Sequence, residues 1–204
     1  MDRHVRNAFL LILADAALIS DWSPWFYSIS HIEDPSEEIK LTAVTWNGFA
    51  IHSIENPSEA VKLAAVTQDG HAIMDIRNPS EEVQLAAVTE HGPAIKWITD
   101  PSEAVQLAAV THDGSEIQYI KDPSKAMKLA AVMNCGCAIR HIKNPSEAMK
   151  LAAVQQDGNV IRFIRDPSKQ IQFAAVRQAP CAIKYLKGIT RERCWSYLYG
   201  SARP

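Results

Sequence analysis

Cysteine is absent from the first 134 residues of this 204-residue chain. The four that occur, Cys135, Cys137, Cys181 and Cys194, all lie in the last third. No paired framework spans the chain, so a disulfide-stapled fold is excluded and reduced thiols in a cytoplasmic setting are the expectation. Long hydrophobic runs are missing too: none approaches the roughly 18 apolar residues of a membrane span. The apolar stretch at residues 8–14 is cut short by Asp15 and preceded by Asp2 as well as by Arg3 and Arg6. That pattern predicts a helix packing against its neighbouring segment rather than a secretory leader. The signatures H-E-x-x-H and G-x-S-x-G are absent, as is a glycine-rich phosphate loop. Neither an enzyme nor a resident cofactor is expected.

Hydrophobic residues make up 47% and charged residues 22% of the chain, a globular balance. The formal net charge of −2 conceals a split. Residues 1–121 hold 7 Lys+Arg against 18 Asp+Glu, and residues 122–204 hold 14 against 5. An acidic end and a basic end give the chain a large dipole able to orient a charged partner.

An internal repeat organises the sequence. Asp/Asn-Pro recurs at Asp34, Asn56, Asn78, Asp100, Asp122, Asn144 and Asp166, spaced by 22 residues throughout. The unit reads [DN]-P-S-[EK]-x-[VIM]-[KQ]-L-A-A-V-x-x-x-G-x-A-I-x-x-I-x, and repeats at such a period indicate stacked supersecondary units. Asp or Asn at position 1 suits a helix N-cap, Pro at position 2 the first helical residue, and Glu at position 4 a capping box. Gly at position 15 suits a left-handed helix stop, followed by a second, short helix. In the unit starting at Asn78, roughly 100° per residue places Val83, Ala86 and Ala87 on one side and Leu85 and Val88 on nearly the opposite one. Two opposed stripes predict a helix gripped from both sides by neighbouring units.

These readings predict an all-α fold: an α-solenoid of seven two-helix repeats over residues 34–187. Residues 1–33 form a degenerate N-terminal cap, and residues 188–204 a C-terminal capping helix and tail carrying Trp195, Tyr197, Leu198 and Tyr199.

The core V-x-L-A-A-V-x-x-x-G-x-A-I, which residues 83–98 spell as V-Q-L-A-A-V-T-E-H-G-P-A-I-K-W-I, resembles short bacterial helical repeats of unknown function. More loosely, it is similar to the leucine-rich-repeat variant and HEAT-like families. The resemblance implies a right-handed superhelix, a bacterial or phage source, and a surface that binds other molecules.

Candidate function lies at the positions that vary. Position 20 runs Ser53, Asp75, Trp97, Tyr119, His141, Phe163, Tyr185. Position 19 runs His52, Met74, Lys96, Gln118, Arg140, Arg162, Lys184. Position 22 adds Lys121, Lys143, Arg165 and Lys187 in the later repeats. From the third repeat onward this edge pairs rings with cations. Aromatic and Arg residues are enriched at protein-binding hot spots, and the same ladder can stack bases and neutralise phosphates. The plainer reading has the rings packing on adjacent repeats while the cations solubilise. A non-enzymatic scaffold binding a protein partner, as an inhibitor, effector or assembly factor, is the first expectation. Nucleic-acid binding along the basic half is the alternative. Cys135, Cys137 and His141 are the best metal candidates, but Cys181 falls two repeats away, roughly 20 Å by helix spacing, so no metal is expected.

Overall fold

The structure, a computed structural model, describes residues 29–186. The two predicted caps fall largely or wholly outside them. Seven α-helices of ten residues recur at the repeat spacing: α1 (Glu37–Trp46), α2 (Glu59–Gln68), α3 (Glu81–Glu90), α4 (Glu103–His112), α5 (Lys125–Asn134), α6 (Glu147–Gln156) and α7 (Lys169–Gln178). Each is followed by a six-residue 3-10 helix: η2 (Gly48–Ser53), η3 (Gly70–Asp75), η4 (Gly92–Trp97), η5 (Gly114–Tyr119), η6 (Gly136–His141), η7 (Gly158–Phe163) and η8 (Pro180–Tyr185). A short η1 (Ile29–His31) precedes them. No strand occurs among the described residues, and none of the described helices is long and apolar enough to cross a membrane. The fold is an all-helical repeat array of the α-solenoid kind.

The chain divides into two compact units, Met1–Ala108 and Ala109–Pro204, the division falling within α4. In the first unit α1 packs on α2 and α2 on α3, while η2 packs on η3 and η3 on η4. In the second, α5, α6 and α7 pack in succession, as do η5, η6, η7 and η8. Each unit therefore has an α-helical layer and a 3-10 layer, with the core between them.

Local chemistry explains the elements, and it corrects three sequence expectations. The N-cap is Ser at position 3, not Asp or Asn at position 1. Ser80 Oγ accepts from the Val83 amide at 3.3 Å, and Ser124 Oγ from Met127 at 3.2 Å. Glu81 is thus the first residue of α3 rather than its third, which still favours the positive end of the helix. The same serines tie neighbouring repeats, Ser102 Oγ donating to Glu81 Oε1 at 2.5 Å. The position-1 residues instead adopt left-handed backbone, with φ from 46° at Asp166 to 54° at Asp100. The following proline ring denies them the right-handed helical region, and short polar side chains tolerate the left-handed one best after glycine.

The second correction concerns position 15. The α-helices end on an extended residue at position 14, such as Asp157 with φ −140°, and glycine then opens the 3-10 helix. Its role is close approach: a Cβ on Gly158 would lie 2.2 Å from the Ala175 carbonyl oxygen of the next repeat, and one on Gly114 2.1 Å from that of Ala131. Pro180 stands in glycine's place in the last repeat. It is exposed and opens η8, where its missing N–H is no loss.

The third concerns the burial of the two apolar stripes; the flanking by neighbouring units holds, α2 packing on both α1 and α3. Val83, Ala87 and Val88 are buried, but Leu85 and Ala86 are only half-buried. The enclosed face is single, built from positions 6, 10 and 11, and it meets Ala94, Ile95 and Ile98 of the 3-10 layer. The position-8 leucines border that face; Leu107 and Leu129 are 47% and 42% exposed.

Candidate binding edge of the 3-10 helices

A 3-10 helix has three residues per turn, so side chains three apart lie one above another. In these six-residue helices position 18 follows the line of the glycine at 15 and points inward; Ile139 and Ile161 are buried there. Position 20 stands above position 17, an alanine or valine in every repeat but the fourth, where it is Glu116, and position 19 stands above 16, on the outer side. Every position-19 residue, from His52 through Arg140 and Arg162 to Lys184, is exposed. Trp97, His141, Phe163 and Tyr185 at position 20 are half-buried, and Tyr119 is exposed.

In the first unit Lys96 Nζ lies 3.9 Å from the centroid of the Trp97 ring. Trp97 also reaches His71, with centroids 5.4 Å apart, and His71 stacks on His91 at 3.7 Å. His71 Nδ1 sits 2.8 Å from Asp69 Oδ1. A groove of about 820 Å³ between η2 and η3 is lined by both signs of charge, including Glu55, Lys62, Asp75 and Arg77. Within it His52 Nδ1 meets Asp75 Oδ1 at 3.0 Å.

The second unit brings the remaining predicted residues together, except Tyr119 and Gln118, which stand exposed on η5. Phe163 and Tyr185 pack against the core on one side. On the other, Arg162 covers Phe163 at 4.6 Å and Tyr185 at 5.9 Å; Arg140 approaches Phe163 at 5.6 Å, and Lys184 approaches Tyr185 at 4.9 Å. Arg162 and Lys184 hold the Tyr185 phenol below its usual range, mainly through hydrogen bonding to its oxygen. Partial burial pushes the His141 pKa down, and the adjacent Arg140 guanidinium adds to the shift. A groove of about 770 Å³ between η6 and η7 is lined by Arg140, His141, Lys143, Lys150, Phe163 and Arg165 among others, with no carboxylate in its wall. Lys143 and Arg165 belong to the position-22 row legible in the sequence. Lys150 comes from α6 at position 7, a Lys or Gln in every repeat, and the packing of α6 behind η6 brings it to the groove.

Cys135 and Cys137 correct the expectation of reduced thiols. They form a disulfide across Gly136, with Cα atoms 5.3 Å apart. Cys181 is a free, exposed thiol hydrogen-bonded to Asn159 Oδ1 at 3.2 Å. Among the described residues, no three of His, Cys, Asp and Glu gather as a metal-binding group.

A row of side-chain amides at position 13 had no counterpart among the sequence expectations. Asn134 Oδ1 accepts from the Gly114 amide at 2.7 Å, and its Nδ2 donates to the Thr111 carbonyl at 2.7 Å. Gln178 does the same for Gly158 and for the carbonyl of Gln156. These polar residues look like surface filling in the sequence, yet where position 13 is Gln68, Asn134, Gln156 or Gln178 they fasten their repeat to the one before it.

No known protein family, curated protein or solved structure matches this chain. The likeness to leucine-rich-repeat variant and HEAT-like repeats therefore rests on the repeat's own residues.

Proposed function

We propose that this chain is a non-enzymatic scaffold that binds a protein partner through the outer edge of its 3-10 layer. The observation that carries the reading is the clothing of ring faces by cations in the second unit. Arg162 lies against both Phe163 and Tyr185, and Arg140 and Lys184 flank them. Rings that lean on the core and hold guanidinium groups in place present pre-oriented charge at low entropic cost, a common hot-spot chemistry. The same contacts count against base stacking, because the faces a base would use are covered by the protein's own cations. Of the position-20 rings among the described residues, Tyr119 alone is exposed, at 45%, so partial packing and partner contact are compatible roles for the ladder.

The test is capture from native lysate with and without nuclease, by the wild-type chain and by the Phe163→Ala, Tyr185→Ala, Arg162→Ala triple variant. The reading expects nuclease-resistant capture that the triple variant loses while keeping its helical circular dichroism. Nuclease-sensitive capture, or capture by the folded triple variant at wild-type level, overturns it.

A further inference from the structure

The groove between η6 and η7 differs in kind from its counterpart between η2 and η3. Both are formed by the same repeat positions and have similar volumes, about 770 and 820 Å³. The wall between η2 and η3 carries Glu55 and Asp75 beside its cations. The wall between η6 and η7 carries Arg140, Lys143, Lys150 and Arg165 and no acid. Lys150 is bonded to Glu147 on its own helix at 2.8 Å. Among the described residues Arg140, Lys143 and Arg165 take part in no salt bridge. Three cations so gathered repel one another, a cost that a bound anion would relieve. Two of them are guanidinium groups, whose planar fork matches a carboxylate. Phe163 supplies the one apolar ring in the wall, and its cation contacts hold Arg140 toward the groove.

We propose that this groove binds an acidic peptide segment of the protein partner, Arg140, Lys143 and Arg165 engaging side-chain carboxylates while an apolar side chain rests against Phe163. The proposal rests on the protein-binding reading above and gives it a chemistry. The enclosed volume suits a few side chains rather than a continuous backbone track. A base stacks on an open ring face, and Arg140 and Arg162 flank Phe163, whereas an aliphatic side chain needs only the ring edge.

The test uses the purified full chain and fluorescence anisotropy with three labelled probes: a glutamate-rich peptide containing one leucine, the same peptide with glutamine for glutamate, and a short single-stranded oligothymidylate. The glutamate peptide is expected to bind about tenfold or more tightly than the glutamine peptide, with affinity falling as salt is raised. Arg140→Glu with Arg165→Glu should remove that preference, whereas Arg77→Glu in the other groove should leave it. Should the double reversal fail to fold, Arg140→Gln and Lys143→Gln provide the same comparison at exposed positions. Equal binding of the two peptides overturns the proposal, as does an equal loss in Arg77→Glu. Tighter binding of the oligothymidylate through Arg140 and Arg165 overturns it in favour of a nucleic-acid ligand. The broader scaffold reading fails by a different result, undiminished capture by the folded triple variant, so the two outcomes are separable.

Discussion

Gln156 holds Gly136 with one end of its amide and the preceding repeat's helix with the other: Oε1 accepts the Gly136 amide proton at 2.6 Å, and Nε2 donates to the Met133 carbonyl at 2.7 Å. Gly136 is buried, so losing this partner leaves a backbone donor without compensation. Gln156→Ala is expected to cost about 1–3 kcal/mol in urea unfolding. Gln156→Asn should cost less, because Asn134 makes the same pair of bonds at Gly114. Equal costs for the two variants would show that the amide is not the tie.

The glycines at position 15 allow an ordered comparison. A Cβ would lie 2.1 Å from the facing carbonyl oxygen at Gly114, 2.2 Å at Gly158 and 2.8 Å at Gly136. The obstacle is backbone in every case and cannot swing away. Overpacking of this kind costs about 1–3 kcal/mol or more, so Gly114→Ala and Gly158→Ala should destabilise more than Gly136→Ala. If conformational freedom were the reason for glycine, the three costs would be alike.

Asn144 has φ 52° and precedes Pro145. Asn144→Gly should leave the urea midpoint nearly unchanged, since glycine enters that region freely. Asn144→Val should cost about 1–2 kcal/mol, as β-branched side chains are strained there. A cost for Asn144→Gly as large as that for Asn144→Val would contradict the left-handed account.

His141 supplies a pH dependence. Its pKa is lowered from 6.5 in the folded chain by burial and then by Arg140, so the unfolded chain binds the proton more readily. Stability from this group is full above about pH 6.5 and is lost as pH falls toward the lowered folded value. His141→Gln should therefore lose less stability than wild type between pH 7 and 5, by under about 1 kcal/mol given the ring's partial exposure. Lys143 and Arg165 stand in the same groove wall as His141. Parallel stability curves for the two proteins would contradict this account.

The repeat register was legible because seven copies place each residue type at one position, and the α-helices came from the apolar pattern. What the letters conceal is which of two causes selects a residue. Asp34 and its six counterparts suit an N-cap and a left-handed turn equally well, and Ser36, two residues further on, takes the cap. Gly48 fits a left-handed stop and a close contact with Ala65 equally well. Six residues such as Gly136–His141 are too few to separate a period of 3.0 from one of 3.6, so the 3-10 helices read simply as short helices. Position 13 varies from Trp46 to Gln178, which hides its fastening role behind apparent surface freedom. The cation and ring rows of the edge were visible from the register. Their mutual contacts, and the arrival of Lys150 at the groove, depend on which layer lies behind which.

The amide fastenings have a consequence for how such a chain changes over generations. In the second unit, the repeats that begin at Asp122 and Asn144 each carry one half of two joints: a glycine N–H offered to the next repeat, and a side-chain amide that grasps the one before, as Gly136 and Asn134 do within a single repeat. A duplicated repeat of that lettering brings both halves with it and can mate with a copy of itself. The residues of the binding edge, Arg140 and His141, travel on the same stretch of chain between those joints. Copying errors at the level of the gene can thus rewrite the recognition surface one whole repeat at a time, while the fastening that maintains the fold is inherited intact.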